Sequence, residues 1–537
     1  MSTSGECTGL GKTLLMIALI SEQILRFGRR GTNLVVCPGI GLMYQWRNEL
    51  NKFAPGLKVL LYRDSDIPSG IKSVDEKFMA QYDVVIVLYC QVRSQHSCKI
   101  RWEKEEIFVS EKNRWPLFKL VWHRVILDEA HTIRNSQCKT TLACFAVSKR
   151  FGYCLTATPI HNSVLDLFPL VCFINATYKG LTDEKVFREK ICLPLRHHTT
   201  VIPRVLDELL ADCLIYRSYY RPNGEPLIEM PHRFEHRYEV VLSTKEFIFY
   251  CFMHEKWYFN SVLARMTREQ QGAVCPMLAT RALAAEENGD DDTEEAAPVD
   301  GIPSPSPKRS PKKYANKHIS EGDVAVDLNN LPEELRGLAE IFGSTYLSSK
   351  MWKSVDIYFR IQHDRPGDKV IIISRFRDTL EVLASYFRNV GIQSIYYRGD
   401  MSAQQRTEAL RQLAEDDSCM ICFMTVQSGG VGLNITSCNN VILLEPWWNP
   451  YIEEQAFGRV HRIGQKKDCH IYRLYALGTI DEQILETQEK KYKLVKGIFS
   501  AFEGPTDEDR EEWMKGVSAS LDIIRRTSSY SSGDAVI

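Results

Sequence analysis

The chain has 537 residues, which is enough for two or three domains. Its formal net charge of −1 excludes a globally basic surface, so any nucleic-acid site has to be a local basic track. No apolar run approaches the length of a membrane span and no signal peptide is recognisable, so we expect a soluble intracellular protein without a membrane partner.

The 16 cysteines are scattered along the chain, and several stand in apolar, strand-like settings. That distribution is typical of buried free thiols in a reducing compartment. The one C-x-x-C pair, Cys419 and Cys422, lies within an apolar run and has no partner pair. We therefore predict that it belongs to a core strand and is not a zinc site.

The first recognisable element is the pattern Gly-Leu-Gly-Lys-Thr at residues 9–13, which opens an amphipathic helix. Gly9 and Gly11 would let backbone N–H groups wrap a phosphate, and the helix N-terminus adds a favourable dipole. Lys12 would reach the β- and γ-phosphates of a nucleotide, and Thr13 would bind Mg²⁺. Only the second half of the full phosphate-loop pattern is present, because a glutamate stands where its first glycine usually lies.

Two apolar runs, 33–38 and 83–87, predict buried strands. The helix after the first run carries Trp46, which we interpret as core packing rather than as a DNA contact. A charged insert with several aromatic residues, roughly 93–120, follows the second run. The residue pattern assigns no role to this insert.

Residues 125–131, Val-Ile-Leu-Asp-Glu-Ala-His, predict a strand that delivers Asp128 and Glu129 to the carboxyl edge of a parallel sheet. Phosphoryl transfer needs a carboxylate to hold Mg²⁺ and a second group to orient the attacking water. Asp128 fits the first role and Glu129 the second. By itself, this pattern would more often mark a strand end with two solvated acids, but the phosphate-loop pattern upstream favours catalysis.

Near the end of the chain, residues 455–465 read Gln-Ala-Phe-Gly-Arg-Val-His-Arg-Ile-Gly-Gln. Arg459 and Arg462 are three residues apart, which predicts that they share one helical face. Arginines placed at a γ-phosphate stabilise transition-state charge and contribute roughly 10³–10⁵ in rate. The alternative is a solvated basic helix face, which the two upstream motifs disfavour.

The motifs occur in a fixed order that resembles Swi/Snf-type DNA-translocating ATPases of helicase superfamily two, nearest the transcription-termination and global-transactivator-like branch. The resemblance runs from Gly9 to about Lys491. The motifs that carry it are Gly-Leu-Gly-Lys-Thr at 9–13, Asp-Glu-Ala-His at 128–131, Leu-Thr-Ala-Thr-Pro-Ile-His-Asn at 155–162, Gly-Gly-Val-Gly-Leu-Asn at 429–434 and Pro-Trp-Trp-Asn-Pro at 446–450.

The resemblance implies an α/β fold with two RecA-like parallel-sheet lobes, joined by a mainly helical insertion and a disordered linker. ATP would bind in the cleft between the lobes. The first lobe would supply the phosphate loop with Lys12 and Thr13, and the acids Asp128 and Glu129. The second lobe would supply Arg459, Arg462 and Gln455, with Gln455 contacting the nucleotide.

The implied function is that of an ATP-dependent, Mg²⁺-requiring translocase of double-stranded DNA, acting in the nucleus in chromatin remodelling, DNA repair or transcription regulation. Its partners would be duplex DNA and nucleosomes or DNA-bound proteins, contacted mainly through phosphates and with little sequence specificity. Three positions depart from the family pattern. The family usually has glycine at Ala157, glutamine at His161 and a second arginine beside Arg217.

The start of the chain also departs from the family, in which a strand leads into the phosphate loop and an upstream glutamine contacts adenine. Residues 2–8 do not show a strand pattern, so we expect a gap in the first sheet. Either a truncated sequence or a naturally short form would explain it. The alternative function is therefore a nucleic-acid-binding pseudo-ATPase, impaired by the missing segment.

The predicted organisation is lobe one at 1–222, a helical region at 223–345 with a disordered linker at about 284–320, lobe two at 346–500, and a tail at 501–537. The linker is acidic and then rich in proline and serine, a composition that cannot bury a core. Its basic end is either a nuclear-import signal or part of a plain tether. In lobe two we predict strands at 369–376, 394–397 and 421–425, and structural roles for Trp447 and Trp448.

Overall fold

The described chain is organised around two parallel β-sheets, each with apolar clusters on both faces. The computed structural model describes residues 3–6, 11–28, 31–67, 70, 74–105, 115–161, 163–175, 179–197, 203–217, 229–256, 262–280, 333–425 and 435–499. The strands are β1 Thr3–Glu6, β2 Asn33–Cys37, β3 Val59–Leu61, β4 Val84–Leu88, β5 Trp122–Asp128, β6 Lys149–Thr156, β7 Leu214–Arg217, β8 Arg233–Val240, β9 Val370–Ser374, β10 Gln393–Tyr397, β11 Cys419–Thr425, β12 Asn440–Leu443 and β13 Cys469–Ala476.

The α-helices are Lys12–Phe27, Ile40–Phe53, Glu76–Met79, Tyr89–Glu105, Lys139–Phe145, Leu167–Phe173, Glu184–Phe187, Leu193–His197, Arg204–Cys213, Thr244–Lys256, Val262–Val274, Ser349–Asp364, Arg377–Asn389, Ala403–Glu415, Pro450–Phe457 and Ile480–Phe499. Shorter 3₁₀ segments are Asp64–Asp66, Pro116–Phe118, Ala130–Ile133 and Val164–Asp166, with a longer one at Glu333–Phe342. Arg188–Cys192 forms a π-helical turn.

The first sheet has the strand order β3-β4-β2-β5-β6-β1-β7, with every pair parallel. Its central strands are runs of aliphatic residues, and β2 and β5 are buried along their whole length. Parallel strands are covered on both faces, so such continuous apolar runs are what the architecture requires. The strands predicted at 33–38, 83–87 and 125–128 are confirmed.

The expected gap in the first sheet was wrong. Thr3–Glu6 forms β1, which lies between β6 and β7 and pairs with both in parallel register. The segment Thr-Ser-Gly-Glu carries no apolar signal, but backbone hydrogen bonds to two neighbouring strands do not depend on side-chain type. The strand therefore leads into the phosphate loop, as in the family the sequence resembles.

The second sheet has the order β10-β11-β9-β12-β13-β8, again all parallel. The strands β9, β10 and β11 confirm the predictions for the second lobe. β8, Arg233–Val240, was not predicted, because it lies in the region expected to be mostly helical. Its sequence alternates Phe, His, Tyr and Val with charged residues, a period-two pattern typical of an edge strand. The domain boundaries stay predictions. Residues 281–332, which include the whole linker predicted at about 284–320, lie outside the described part.

Both lobes are thus of the predicted α/β class, and further core predictions are confirmed. Cys419 and Cys422 lie in β11 and are buried. Trp46 is completely buried in the helix Ile40–Phe53. Within the described ranges, no group of three or more histidine, cysteine or acidic side chains could hold a metal ion. No helix among those same ranges has both the length and the apolar character needed to cross a membrane.

Candidate active site

Asp128 is the last residue of β5 and is buried at the carboxyl edge of the first sheet. Both carboxylate oxygens accept hydrogen bonds, Oδ2 from the indole Nε1 of Trp46 at 2.7 Å and Oδ1 from the backbone N–H of Glu129 at 2.9 Å. Tyr89 donates its hydroxyl to the carbonyl oxygen of Asp128 at 3.0 Å. Strand, helix and neighbouring side chains together hold this carboxylate in one orientation.

The electrostatics of Asp128 fit a metal ligand. Burial raises the pKa of its carboxyl to about 7, the Glu129 charge adds to that effect, and Trp46, the Glu129 N–H and Lys12 oppose it. A divalent cation would offset the cost of burying this charge, and hard cations prefer carboxylate oxygens. The residues present therefore fit the Mg²⁺ that the family implies.

Glu129 follows the strand with a φ of 48°, in the left-handed region. This conformation is uncommon for a non-glycine residue and, where it occurs, is often found at functional sites. Its carboxylate oxygen Oε2 lies 3.4 Å from Nδ1 of His131. The side chain is about four-fifths buried, and it follows Asp128 directly in the chain.

The phosphate-loop residues lie at the start of the helix Lys12–Phe27. Gly11 caps this helix with a φ of 77°, a conformation that only glycine adopts without strain. Lys12 is close enough to lower the pKa of Asp128. Thr13 is in the first helical turn, where its contact with Mg²⁺ stays a prediction. Gly9 lies outside the described residues.

The second lobe brings Arg459 to the two acids. This residue is 7% exposed. Burial lowers the pKa of Arg459 to about 10, while the charges of Glu129 and then Asp128 raise it and that of Arg462 lowers it further. An arginine from one lobe and two carboxylates from the other thus share one buried site, with Arg462 alongside.

One detail of the arginine prediction was wrong. The helix Pro450–Phe457 ends before Arg459, so Arg459 and Arg462 do not share a helical face. They lie in the turns that follow, where the Arg459 carbonyl accepts from the N–H of Ile435 at 3.0 Å. Proline at the first helical position and glycine just after the last mark a helix of only eight residues. Gln455 is buried within it, and its contact with a nucleotide stays a prediction.

Three residues join this site that sequence patterns did not assign to it. Trp46, interpreted only as core, also donates to Asp128. His131 lies 3.5 Å from the hydroxyl of Thr156, at the end of β6, and its ring stacks on that of His161 with centroids 5.8 Å apart. The position of His131, two residues after the acid pair, could have predicted that it lies in the site. Its stacking partner, His161, stands where the family usually has glutamine.

The two tryptophans of the 446–450 motif have the structural environment we predicted. The ring of Trp447 lies under the guanidinium of Arg375, with 5.0 Å from ring centroid to Cζ. Its carbonyl accepts from Gln488, and the carbonyl of Trp448 accepts from Nζ of Lys491 at 3.0 Å. These contacts tie the last helix, Ile480–Phe499, to the loop that precedes the arginine segment.

Comparison with known proteins places these features in one family. The family described as SNF2-related domain matches residues 6–286, and the helicase conserved C-terminal domain matches residues 350–464. DNA repair protein RAD5A of Arabidopsis thaliana is 26% identical, over 88% of this chain and 51% of its own length. A probable global transactivator of Orgyia pseudotsugata multicapsid polyhedrosis virus is 28% identical, over 91% of this chain and 85% of its own.

Among solved structures, the chain is similar to the Sulfolobus solfataricus SWI2/SNF2 ATPase core in complex with dsDNA. The identity is 20%, the TM-score is 0.38, and the match covers 92% of this chain and 88% of that one. The chain spans about half the length of the first curated relatives that it matches.

Proposed function

Since the chain belongs to the SNF2-related family of helicase-like, ATP-hydrolysing enzymes, we propose that it is an ATP-driven translocase of double-stranded DNA. It would act in the nucleus, in chromatin remodelling, DNA repair or transcription regulation. Relatives named for DNA repair and for transcription termination support that setting. The observation that carries the proposal is the approach of Arg459 from the second lobe to Glu129 and Asp128 of the first.

Each charged residue has one part in hydrolysis. Lys12 and the helix N-terminus behind Gly11 bind the phosphates of ATP, and Asp128 with Thr13 holds Mg²⁺. Mg²⁺ supplies positive charge against the β- and γ-phosphates. Glu129 orients the attacking water and accepts its proton. Arg459, with Arg462 beside it, stabilises the charge that develops on the transferred phosphoryl group.

The division of the site between two lobes links hydrolysis to movement. The arginine stabilises the transition state only when the lobes are closed, because it belongs to the opposite sheet from the acids. Loss of the γ-phosphate removes the group that both lobes contact, so the cleft opens. A DNA backbone held by both lobes would then be drawn along by one step per cycle.

The pseudo-ATPase alternative depended on two missing features, the upstream glutamine and the strand before the phosphate loop. β1 occupies that position, between β6 and β7. The proposal of active hydrolysis therefore agrees better with the sheet than the alternative does.

The test is steady-state ATP hydrolysis with and without duplex DNA, for the wild type and Glu129→Gln. We expect duplex DNA to stimulate hydrolysis, and the variant to lose about 10²–10⁴-fold in kcat while still binding ATP, because only the proton acceptor is removed. Glu486→Gln, an exposed glutamate with 73% side-chain accessibility, is the matched control. Folded wild-type protein that hydrolyses no ATP, or hydrolysis unchanged in Glu129→Gln, would contradict the proposal.

Translocation has a separate readout, the displacement of a third strand from a DNA triplex. The wild type should displace that strand only with hydrolysable ATP, and Glu129→Gln should not displace it. DNA-stimulated hydrolysis without displacement would leave a DNA-dependent ATPase that does not translocate, and the translocase part of the proposal would be wrong.

A further inference from the structure

Trp46 combines complete burial with a hydrogen bond to the acid pair of the candidate active site. It is completely buried in the helix Ile40–Phe53, and its single polar atom donates to Asp128, 82 residues further along the chain. The Nε1–Oδ2 distance of 2.7 Å is short for an N–H···O bond, as expected when the acceptor carries charge. The indole therefore links the helix Ile40–Phe53 to the carboxyl edge of the first sheet, where Asp128 lies.

The position of the ring is set by packing. Trp46 belongs to the apolar cluster between the helices and the first sheet, which includes Met43 and Leu50 of the same helix and Ile126 of β5. A ring enclosed in this way has little freedom to rotate. Its N–H consequently points in a fixed direction, and Asp128 lies in that direction.

We propose that Trp46 is a positioning residue for Mg²⁺ binding, acting through Asp128. A carboxylate rotates easily about its last torsion, because that torsion has a broad energy profile. One donor on each oxygen, Trp46 on Oδ2 and the N–H of Glu129 on Oδ1, fixes the plane of the group. Lys12 of the phosphate loop is close enough to lower the pKa of the same carboxyl, so the group that these two bonds fix belongs to the nucleotide site.

The expected size of the effect follows from the general behaviour of groups behind a metal ligand. Removing a hydrogen-bond partner of a ligand typically lowers metal affinity about 10–100-fold. This inference rests on the proposed function, because it concerns the Mg²⁺ that accompanies ATP. It is nevertheless measured by binding and not by hydrolysis, so the two proposals can fail separately.

The chain offers a matched control in Trp122. It is also completely buried, it begins the same strand β5 that Asp128 ends, and its Nε1 donates to the carbonyl of Leu117 at 2.9 Å. Trp46→Phe and Trp122→Phe therefore remove the same atoms and one buried hydrogen bond each. They differ in whether the lost bond ends on Asp128.

The experiment titrates free Mg²⁺ against the binding of a fluorescent ADP analogue, followed by anisotropy, in the wild type and both variants. We expect Trp46→Phe to raise the Mg²⁺ concentration for half-maximal enhancement of binding about 10–100-fold. Trp122→Phe should leave it within about twofold, and nucleotide binding in EDTA should be similar in all three proteins. Thermal unfolding of each variant measures the accompanying loss of stability.

Two results would overturn the inference. One is a Trp46→Phe titration that superimposes on the wild type. The other is an equal shift in both variants, because a generally loosened first lobe would then explain it. If Trp46→Phe does not fold, benzothienylalanine at position 46 keeps the ring outline and replaces the N–H by sulfur. The same titration on that protein decides the matter.

Discussion

Each sheet places a buried carboxylate at the carboxyl end of the fourth strand in its order. In the first sheet this is Asp128, the last residue of β5, and in the second it is Glu445, two residues beyond β12. Both are almost inaccessible, and burial raises the pKa of each to about 7. By burial and by pKa alone, the two groups are equivalent.

The two carboxylates differ in the groups that surround them. Asp128 lies beside Glu129, and the charges of both acids raise the pKa of Arg459 of the opposite lobe. Glu445 is enclosed by its own lobe, where Oε1 accepts from the hydroxyl of Ser374 at 2.8 Å and from the backbone N–H of Arg375. A carboxylate at a strand end therefore becomes a candidate catalytic group when the other lobe brings a complementary charge to it. A carboxylate whose nearby charges all belong to its own lobe, as do Lys350 and Asp481 for Glu445, is not a candidate for catalysis.

The sharpest test of this comparison removes the charge that arrives across the cleft. Arg459→Ala should lose about 10³-fold in kcat for DNA-stimulated hydrolysis, because the guanidinium stabilises transition-state charge. Its unfolding temperature should change little. The control is Arg360→Ala, whose guanidinium is 62% exposed and pairs with Asp356. A loss of less than tenfold in Arg459→Ala would mean that the two acids work without the guanidinium on which the comparison rests, and the comparison would fail.

The second test concerns buried charge that stays inside one lobe. Lys350 and Asp481 form an ion pair in which neither side chain is exposed, near Glu445. Lys350→Met should destabilise the protein by about 3–5 kcal/mol, because it leaves Asp481 buried without its partner. Urea unfolding measures the loss, and hydrolysis per folded molecule should stay close to the wild-type value.

The matching control for that test removes both charges. In Lys350→Met/Asp481→Leu no unpaired ion remains, so most of the lost stability should return. If the single variant instead abolishes hydrolysis while remaining folded, the Lys350–Asp481 pair takes part in the reaction, and the distinction between the two sheets is wrong.

The sequence predicts the parts of this fold that local pattern determines. β2, β4, β5 and β9 each contain a run of three to five aliphatic residues, and a strand buried on both faces needs such a run whatever surrounds it. The acid pair and the phosphate-loop pattern were recognisable because phosphate and metal chemistry restrict the residue types that can serve. The structure confirms the strand end expected for Asp128 and the helix start expected for Lys12 and Thr13.

Features that depend on distant partners were missed. β1 is a polar segment held by backbone hydrogen bonds to β6 and β7, and its residue types do not predict a strand between them. The arginines were placed on a helix because a spacing of three fits one, whereas the helix ends at Phe457. The bond from Trp46 to Asp128 joins elements 82 residues apart, so composition shows a buried tryptophan and only the fold shows its acceptor.

The smallest expected effect is a change in how the stability of the protein depends on pH, and it concerns Glu445 itself. Burial raises the pKa of this carboxyl from 4.5 to about 7, while the Arg375 N–H, Lys350 and Ser374 lower it and Asp481 raises it. The folded protein therefore keeps a proton that the unfolded chain releases above about pH 4.5. The stability that this proton provides is complete below pH 4.5 and is lost as the pH rises through 7.

Glu445→Gln has no such proton, so its stability should lack this fall. At about 1.4 kcal/mol per pH unit, the wild type should lose about 3 kcal/mol relative to the variant between pH 4 and pH 8. Urea unfolding at several pH values measures the difference in stability between the wild type and the variant. For Glu486→Gln, at an exposed position, this difference should not change with pH. A constant difference for Glu445→Gln would mean that Glu445 stays ionised in the fold. Lys350 would then neutralise Glu445 as effectively as a cation would neutralise Asp128. Both strand ends would carry an ionised carboxylate, and the main difference between them would be which lobe supplies the partner charge.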